Sequence, residues 1–341
     1  MTDLVHTVLG PVPADDLGVV AVREALLSVL PGAEHGYDVV MDRVEIFDAL
    51  AALLVDFREA GGGTVVDTTG MFHGRDVRLL EALSRTTGVH VVASTGQGPE
   101  GLLGGYFLTP QTNPPTPWPA ERFADLFSQE VTEGMVVPRL ERRAPAGLVT
   151  TTGTRKGLTP TDESLFRGAA RTALGTGVPL SIRYAVDAAA ELDLVLDEGV
   201  PADRVLVGGL DRLDAVAGEA HLAVAGRGAF VGRDHVGADD DEHVDDNRRA
   251  TLVAELVEAG HVERIIVSCS AVGVAKGHEG SDRAVAHLLT GFVPLLREQG
   301  LSEVHVRRIL VDNPRELLTV SRPAAAGRPS TVTSADTEKV S

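Results

Sequence analysis

Short apolar segments alternate with longer amphipathic segments along most of the chain, and this alternation limits the possible folds more than any other feature of the sequence. Eight segments are continuously apolar or rich in β-branched residues, which is typical of strands buried on both faces of a sheet. They are Val19–Leu27, Gly63–Thr69, Val89–Thr95, Ala146–Thr152, Val178–Tyr184, Arg204–Leu210, Gly228–Arg233 and Arg264–Ser270. Repeated strand–helix units of this kind predict an α/β protein, either an open doubly wound sheet or a closed barrel.

The segments between the strands have apolar residues three and four positions apart, which is the spacing of an amphipathic helix. Clear examples are residues 44–61, 76–88, 161–177 and 247–260, and each of them ends in Gly, a common residue just after a helix. Helix periodicity does not decide between the open sheet and the barrel.

Cysteine content and the N-terminal sequence bear on the compartment. The chain has one cysteine, Cys269, so it cannot form an internal disulfide and suits a reducing compartment. Its N-terminus has no basic segment followed by an apolar run, and the sequence has no apolar stretch of membrane-spanning length. We therefore expect a cytoplasmic protein with no signal peptide and no membrane span.

The charge of the chain disfavours two classes of partner. The formal net charge is −18 at pH 7, which would repel nucleic acid and anionic membrane surfaces. Part of this charge is concentrated in Gly237–Asp246. A run of like charges is usually a solvated loop, although its carboxylates could also bind a hard cation.

Two segments predict irregular structure. Residues 96–105 are rich in glycine but continue into a segment with several prolines, so they favour a long loop rather than a dinucleotide-binding motif or a P-loop. Residues 321–341 are rich in small and polar residues, which predicts a disordered tail. The rest of the chain, residues 1–320, is predicted to form a single domain.

Seven segments together resemble the phosphotriesterase-like branch of the amidohydrolase superfamily. They are residues 5–18, 60–76, 146–163, 177–184, 204–212, 260–271 and 291–318. The match runs from about residue 5 to 320 in one register, so it is more specific than any single motif. The resemblance implies a (β/α)8 TIM barrel, and it implies the hydrolysis of esters, lactones or phosphotriesters at a pair of metal ions.

The resemblance also shows what stands at the expected metal ligands, which are four histidines, a carboxylated lysine and an aspartate. In the order in which these positions occur along the chain, the residues are Arg23, Ala25, Thr150, Arg183, Gly209 and Ser270. Arg, Ala and Gly offer no ligand atom, and the hydroxyls of Thr and Ser are weak ligands for zinc. We therefore expect no metal site, no catalytic metal and no other cofactor.

Two replacements introduce positive charge where the metal cations are expected. Arg23 and Arg183 are predicted to project into the mouth of the barrel, where guanidinium groups could bind a carboxylate or phosphate, or stabilise a developing anion. Thr150 and Ser270 would then contact the same substrate. Alternatively, each arginine pairs with an acid at a strand end, and the candidates are Asp67, Asp211 and Asp234.

Three further residues are candidates for chemistry. Cys269 could be a nucleophile if a positive group stabilised its thiolate, but a buried, inert cysteine is the more common outcome. Cys269 and Ser270 should point to opposite faces unless the strand is broken there. His235 and His73 follow strands and could act as general acid or base, although isolated loop histidines are usually just exposed polar residues.

These observations leave two hypotheses for function. The first is a metal-independent enzyme that acts on a small carboxylate- or phosphate-bearing molecule by hydrolysis, elimination or isomerisation. The second is a catalytically inactive pseudoenzyme that serves as a structural or regulatory partner of a metal-binding paralogue. The resemblance further implies a homodimer, or under the second hypothesis a heteromer with that paralogue.

Overall fold

The structure of the chain, a computed structural model, describes residues 3–103, 108–109, 116–137 and 141–321. Its barrel strands are β1 (Val19–Val29), β2 (Gly62–Asp67), β3 (His90–Gln97), β4 (Leu148–Thr152), β5 (Leu180–Arg183), β6 (Val205–Gly208), β7 (Phe230–Arg233), β8 (Ile265–Val267) and β9 (Val272–Lys276). The strands β1 to β8 pair in chain order and in parallel, and β9 pairs in parallel with β1. The sheet therefore closes, and the predicted TIM barrel is confirmed.

Neighbouring residues of the strands face two different cores. Val20 and Val22 of β1 belong to a cluster inside the barrel, whereas Ala21 between them belongs to the larger cluster that packs under the helices. Val66 of β2 and Val65 divide in the same way. Because both faces are buried, the strands are continuously apolar, and this is the pattern that made them visible in the sequence.

Helices surround the barrel between the strands. They are α1 (Arg43–Glu59), α2 (Val77–Thr87), α3 (Ala120–Thr132), α4 (Pro160–Thr176), α5 (Ala188–Leu196), α6 (Leu213–Ala217), α7 (Ala220–Gly226), α8 (Asp246–Glu258), α9 (Val293–Glu298), α10 (Glu303–Arg307) and α11 (Asn313–Leu318), with π-helical turns at Leu288–Phe292 and Arg308–Asp312. Side-chain caps fix several of the helix starts, including a capping box in which Thr159 and Asp162 satisfy each other's backbone groups at α4.

A β-hairpin precedes the barrel, and the sequence analysis did not predict it. Its strands, Leu4–Thr7 and Gly10–Pro13, are antiparallel. The side chain of Val5 is fully buried in the cluster inside the barrel. Further two-residue antiparallel pairs join Leu108–Thr109 to Thr116–Pro117 and Val136–Val137 to Glu141–Arg142.

The eighth strand is broken, which corrects the prediction of one strand over Arg264–Ser270. β8 ends at Val267, and Ser270 has a left-handed backbone conformation with φ of 43°. Glu24 of β1 binds the break: its carboxylate accepts hydrogen bonds from Ser268 Oγ at 2.6 Å, Cys269 N at 2.9 Å and Ala271 N at 2.6 Å. These bonds replace the strand partners that the interrupted backbone lacks.

The sequence predicted a disordered tail and no membrane span. The predicted tail, residues 321–341, lies outside the described residues except for Ser321, and the domain boundary at residue 320 stays a prediction. In the part of the chain that the structure describes, no helix is long and apolar enough to cross a membrane.

A stability prediction follows from Asn313 at the start of α11. This fully buried side chain donates from Nδ2 to Val262 O at 2.8 Å and Ile265 O at 2.7 Å, and so ties the closing helix to β8. Asn313→Ala would remove the donor from the buried carbonyl of Ile265 and the partly buried carbonyl of Val262, and it should lower the free energy of unfolding by about 1–3 kcal/mol. Asn247→Ala, on an exposed helix position, should change it by less than about 0.5 kcal/mol. Urea unfolding of both variants tests this, and equal losses would contradict it.

Candidate functional site

The carboxyl ends of the barrel strands surround a cavity of 410 Å³. In TIM barrels, this is the face on which active sites are built. Five of the six residues at the expected metal-ligand positions line the cavity: Arg23, Ala25, Thr150, Arg183 and Ser270. The sixth residue, Gly209, is not among the described residues that line the cavity. The structure thus brings together most of the positions that the sequence singled out.

Arg23 does not face the cavity as a free cation. Its guanidinium forms an ion pair with Asp234, with Nε 2.5 Å from Oδ2, and Nη1 donates to Ser181 Oγ at 2.6 Å. Both charged side chains are almost fully buried. Because Asp234 follows β7 and Ser181 lies on β5, Arg23 connects β1 to two other strands across the barrel. A Cβ on Gly208 would overlap this ion pair, so the pair needs glycine there.

Asp234 belongs to a buried cluster of acids and bases beside the cavity. His235 Nδ1 lies 2.8 Å from Asp211 Oδ1 and 3.4 Å from Asp234 Oδ1. Asp211 also accepts from Arg249 Nε at 2.8 Å, and Asp234 accepts from the Gly209 backbone N–H at 2.7 Å. None of Asp211, Asp234 and His235 is part of the described cavity lining.

Opposite charges set the pKa values in this cluster. Burial alone would raise the pKa of Asp234, but Arg23 and His235 lower it to about 2. Burial would also raise the pKa of Asp211, which His235 and Arg249 hold well below its usual value. Burial would lower the pKa of His235, but Asp211 and Asp234 raise it. The cluster is therefore a set of matched charges. For Arg23, this agrees with the alternative that an arginine at the barrel mouth pairs with an acid at a strand end.

Arg183 differs from Arg23 because it has no acidic partner. Its side chain is exposed to the cavity, and no carboxylate of the described residues lies within ion-pair distance of it. The internal segments outside the described residues, 104–107, 110–115 and 138–140, contain no Asp or Glu. Surrounding protein and the nearby Arg23 lower the pKa of Arg183 from its usual value. The cavity therefore contains an unneutralised guanidinium.

Polar groups suited to hydrogen bonding complete the lining. Thr150 Oγ1 donates to Ser181 O at 3.2 Å, and Ser270 is presented by the break in the eighth strand. His73 also lines the cavity, and burial lowers its pKa, which favours the neutral ring at neutral pH. His278 lies across the mouth, with Nε2 2.8 Å from Ser28 Oγ.

Besides Asp211, Asp234 and His235, the structure places two further sequence candidates outside the described cavity lining. Asp67 accepts from the backbone N–H groups of Leu26 at 2.9 Å and Thr69 at 3.0 Å, so it links the ends of β1 and β2. Cys269 is fully buried in the core, and burial and the charge of Glu24 raise the pKa of its thiol well above the usual value. A thiol in this environment is poorly suited to nucleophilic attack.

Glu24 was missed as a lining residue for a physical reason. Strand alternation puts it on the face opposite Arg23, but the pairing of β1 with β2 shifts register between Ala21 and Glu24. Such an irregularity re-aims side chains, and Glu24 lines the cavity. Burial raises the pKa of Glu24 to about 7 in spite of its three hydrogen bonds. Arg283, in the loop after β9, also lines the cavity, and no motif pointed to it.

Comparison with known proteins identifies the family. A model described as the phosphotriesterase family matches residues 3–318. The chain belongs to the phosphotriesterase family. The phosphotriesterase homology protein of Escherichia coli is 25% identical over 305 residues, which cover 89% of this chain and 98% of that protein. The N-acetyltaurine hydrolase of Tetraodon nigroviridis is 27% identical over 277 residues, which cover 78% of this chain and 76% of that protein.

Solved structures of this kind share the barrel. A variant of the organophosphorus hydrolase from Deinococcus radiodurans has a TM-score of 0.81 at 24% identity, and the match covers 93% of this chain and 97% of that chain. A protein engineered for organophosphate hydrolysis from a weak promiscuous lactonase also has a TM-score of 0.81 at 24% identity, over 93% of this chain and 100% of that chain. These similarities support the fold.

The residues present do not fit the metal pair that the phosphotriesterase family implies. Among the described residues, a single group of three side chains could converge on a cation: Asp211, Asp234 and His235. Its carboxylates already bind the guanidinium groups of Arg23 and Arg249. A divalent ion bound there would have to displace a buried guanidinium from its carboxylate, and the ion and the guanidinium would then repel each other at short distance. The cluster is therefore a set of ion pairs that does not suit the metal pair.

The ion pair between Arg23 and Asp234 gives a stability prediction. Arg23→Met would leave a buried carboxylate unpaired and should lower the free energy of unfolding by about 3–5 kcal/mol. Adding Asp234→Asn should recover part of this loss, because the amide oxygen still accepts from the Gly209 N–H. Arg43→Met, which removes an exposed arginine paired with Asp76, should cost less than about 1 kcal/mol. Urea unfolding of the wild type, the two single variants Arg23→Met and Asp234→Asn, the double variant and the Arg43→Met control measures the coupling.

The pH dependence provides a check on the same pair. The pKa of Asp234 falls from 3.8 to about 2 on folding, so its stabilising contribution is present above pH 3.8 and is lost as the pH falls through about 2. The difference between the wild type and the double variant should shrink over that interval. No coupling between the two substitutions at neutral pH would contradict the ion pair.

Proposed function

We propose that this chain is a metal-independent member of the phosphotriesterase family that binds a small carboxylate- or phosphate-bearing molecule in the cavity and converts it by hydrolysis, elimination or isomerisation. The observation that carries this proposal is the guanidinium of Arg183, which faces the cavity with no carboxylate of the described residues within ion-pair distance. A bound anion would supply the missing negative charge. Guanidinium binds carboxylate and phosphate through paired hydrogen bonds.

The two arginines have different roles in this proposal. Arg23 is held by Asp234 and Ser181, so it shapes the floor of the site and contributes its field rather than a free hydrogen-bonding face. Arg183 binds the anionic group directly. The hydroxyls of Thr150 and Ser270 line the same space and orient the bound molecule.

Proton transfer can be assigned within the same lining. His73 has a lowered pKa and is neutral at neutral pH, so it can accept a proton from a bound molecule or from water. Arg183 would stabilise the anion that forms. This division of roles replaces the nucleophilic reading of Cys269, whose thiol is in the core.

One relative supports the class of substrate. N-acetyltaurine, which the name of the Tetraodon nigroviridis enzyme specifies, is a small amide whose sulfonate group is anionic at all physiological pH values. Sulfonate, phosphate and carboxylate share the oxygen geometry that guanidinium recognises. The similarity therefore favours a small anion, without identifying which one.

The second candidate is a catalytically inactive barrel that serves as a structural or regulatory partner of a metal-binding paralogue. The observation in its favour is the ion pair of Arg23, because half of the positive charge introduced at the mouth is used to stabilise the fold. Recovery of the small molecule after incubation distinguishes the two: mass spectrometry should show a changed molecule for an enzyme and an unchanged one for the inactive barrel.

The proposal predicts that anion binding depends on Arg183 and not on metal. In chelator-treated protein, phosphate or a small carboxylate should raise the melting temperature, because it binds the native state preferentially. Arg183→Met should weaken binding by about tenfold or more, since a charge-assisted hydrogen bond contributes about 1.5–3 kcal/mol. Thermal melting curves measure the shift in melting temperature, and isothermal titration calorimetry measures the affinities.

Arg155→Met is the matched control. Arg155 pairs with Glu242 near the site but does not line the described cavity, so its removal should leave anion affinity within about twofold. Equal affinity in the wild type and Arg183→Met, or binding that requires added metal, would overturn the proposed function.

A further inference from the structure

We propose that Arg283 forms a second anion-binding position in the same cavity, and that the molecule bound there carries two acidic groups, one for Arg183 and one for Arg283. This inference rests on the proposed function and specifies its ligand.

Arg283 is an arginine without a partner at the wall of the cavity. It lies in the loop that follows β9 and belongs to the cavity lining. Its Nε and Nη1 atoms are buried and have no hydrogen-bond acceptor among the described residues. No carboxylate of those residues forms an ion pair with it. Buried guanidinium nitrogens without acceptors are costly, so an acceptor for these two N–H groups is expected in the functional state.

The acids of the lining do not neutralise this charge. Two of them, Glu24 and Glu279, line the cavity. Glu24 directs its oxygens to Ser268, Cys269 and Ala271 and holds the broken strand. Glu279 is exposed at the rim and makes no ion pair within the described part of the chain. After Arg23 is matched with Asp234, the guanidiniums of Arg183 and Arg283 remain.

These two guanidiniums come from different elements of the barrel mouth. Arg183 ends β5, whereas Arg283 follows β9, which is the neighbour of β1. The chain leaves β9 at Lys276, and a Cβ added to Gly237, in the loop after β7, would lie 3.8 Å from Arg283 Cγ. The two arginines therefore reach the same cavity from different elements of the barrel mouth. A cavity of 410 Å³ accommodates one small molecule, so one ligand with an acidic group at each end fits both.

The test uses the full-length, chelator-treated protein and two matched series of probes. Isothermal titration calorimetry compares the dicarboxylates from malonate to adipate with the monocarboxylates of the same carbon number, which run from propionate to hexanoate. The best dicarboxylate should bind at least about tenfold more tightly than its monocarboxylate. Arg283→Met should remove that advantage and leave monocarboxylate affinity within about twofold. Arg183→Met should weaken both series.

Controls separate a recognition role from a structural one. Arg283→Lys keeps the charge and should retain part of the dicarboxylate advantage, whereas a purely packing role would make Lys and Met equivalent. Arg227→Met, on an exposed helix end, should bind like the wild type. Melting curves confirm that each variant is folded.

The outcomes distinguish this inference from the function on which it rests. If Arg183→Met abolishes binding while Arg283→Met leaves dicarboxylate affinity unchanged, the second position is refuted and the proposed function stands. If monocarboxylates bind as tightly as dicarboxylates throughout the series, the two-group ligand is refuted in the same way. If the wild type binds no member of either series and no phosphate, both proposals fail.

Discussion

The buried ion pair of Arg23 and Asp234 is the interaction on which the site depends. It joins the mouth ends of β1 and β7, and through Ser181 it reaches β5. Asp234 is one of two carboxylates in the buried cluster with His235. The other carboxylate, Asp211, forms an ion pair with Arg249. Low polarity makes unpaired charges expensive, so each of these groups requires its partner. Gly208 has no Cβ, and the ion pair occupies the space that a side chain at this position would fill.

This pairing decides what is left for a ligand. The carboxylates that could coordinate a cation are already neutralised by arginine, and the arginines of the cavity wall, Arg183 and Arg283, have no carboxylate among the described residues. The mouth of the barrel therefore has two arginines without an ion-pair partner among the described residues, inside a chain whose net charge is −18. A small anion is attracted to such a position, and guanidinium geometry selects carboxylate, phosphate or sulfonate. Under the proposed function, the phosphotriesterase fold is kept and the charge that acts on the ligand comes from the side chains.

Sequence reasoning predicted the barrel because continuous apolar strands and the family resemblance both depend on patterns spread over the whole chain. It also brought Arg23, Thr150, Arg183 and Ser270 together, since each occupies the mouth end of a strand or of the strand break. It could not decide which acid pairs with Arg23, because Asp67, Asp211 and Asp234 all follow strands and the choice depends on geometry.

Local irregularities account for what was missed. The register shift in β1 turned Glu24 into the cavity, and the break at residues 268–271 put Cys269 in the core and left Ser270 at the cavity wall. The hydrogen bonds that stabilise this break come from a residue more than two hundred positions away, so no local pattern reveals it. Arg283 lies in an irregular loop where neither periodicity nor motif marks a site.

The most direct measurement of the central claim is an anomalous diffraction map, collected at the zinc absorption edge from crystals grown with excess zinc. The account predicts no ordered peak at the mouth of the barrel, with the guanidinium of Arg23 in contact with Asp234. Two well-occupied peaks between β1 and β5, with Arg23 displaced from Asp234, would contradict it.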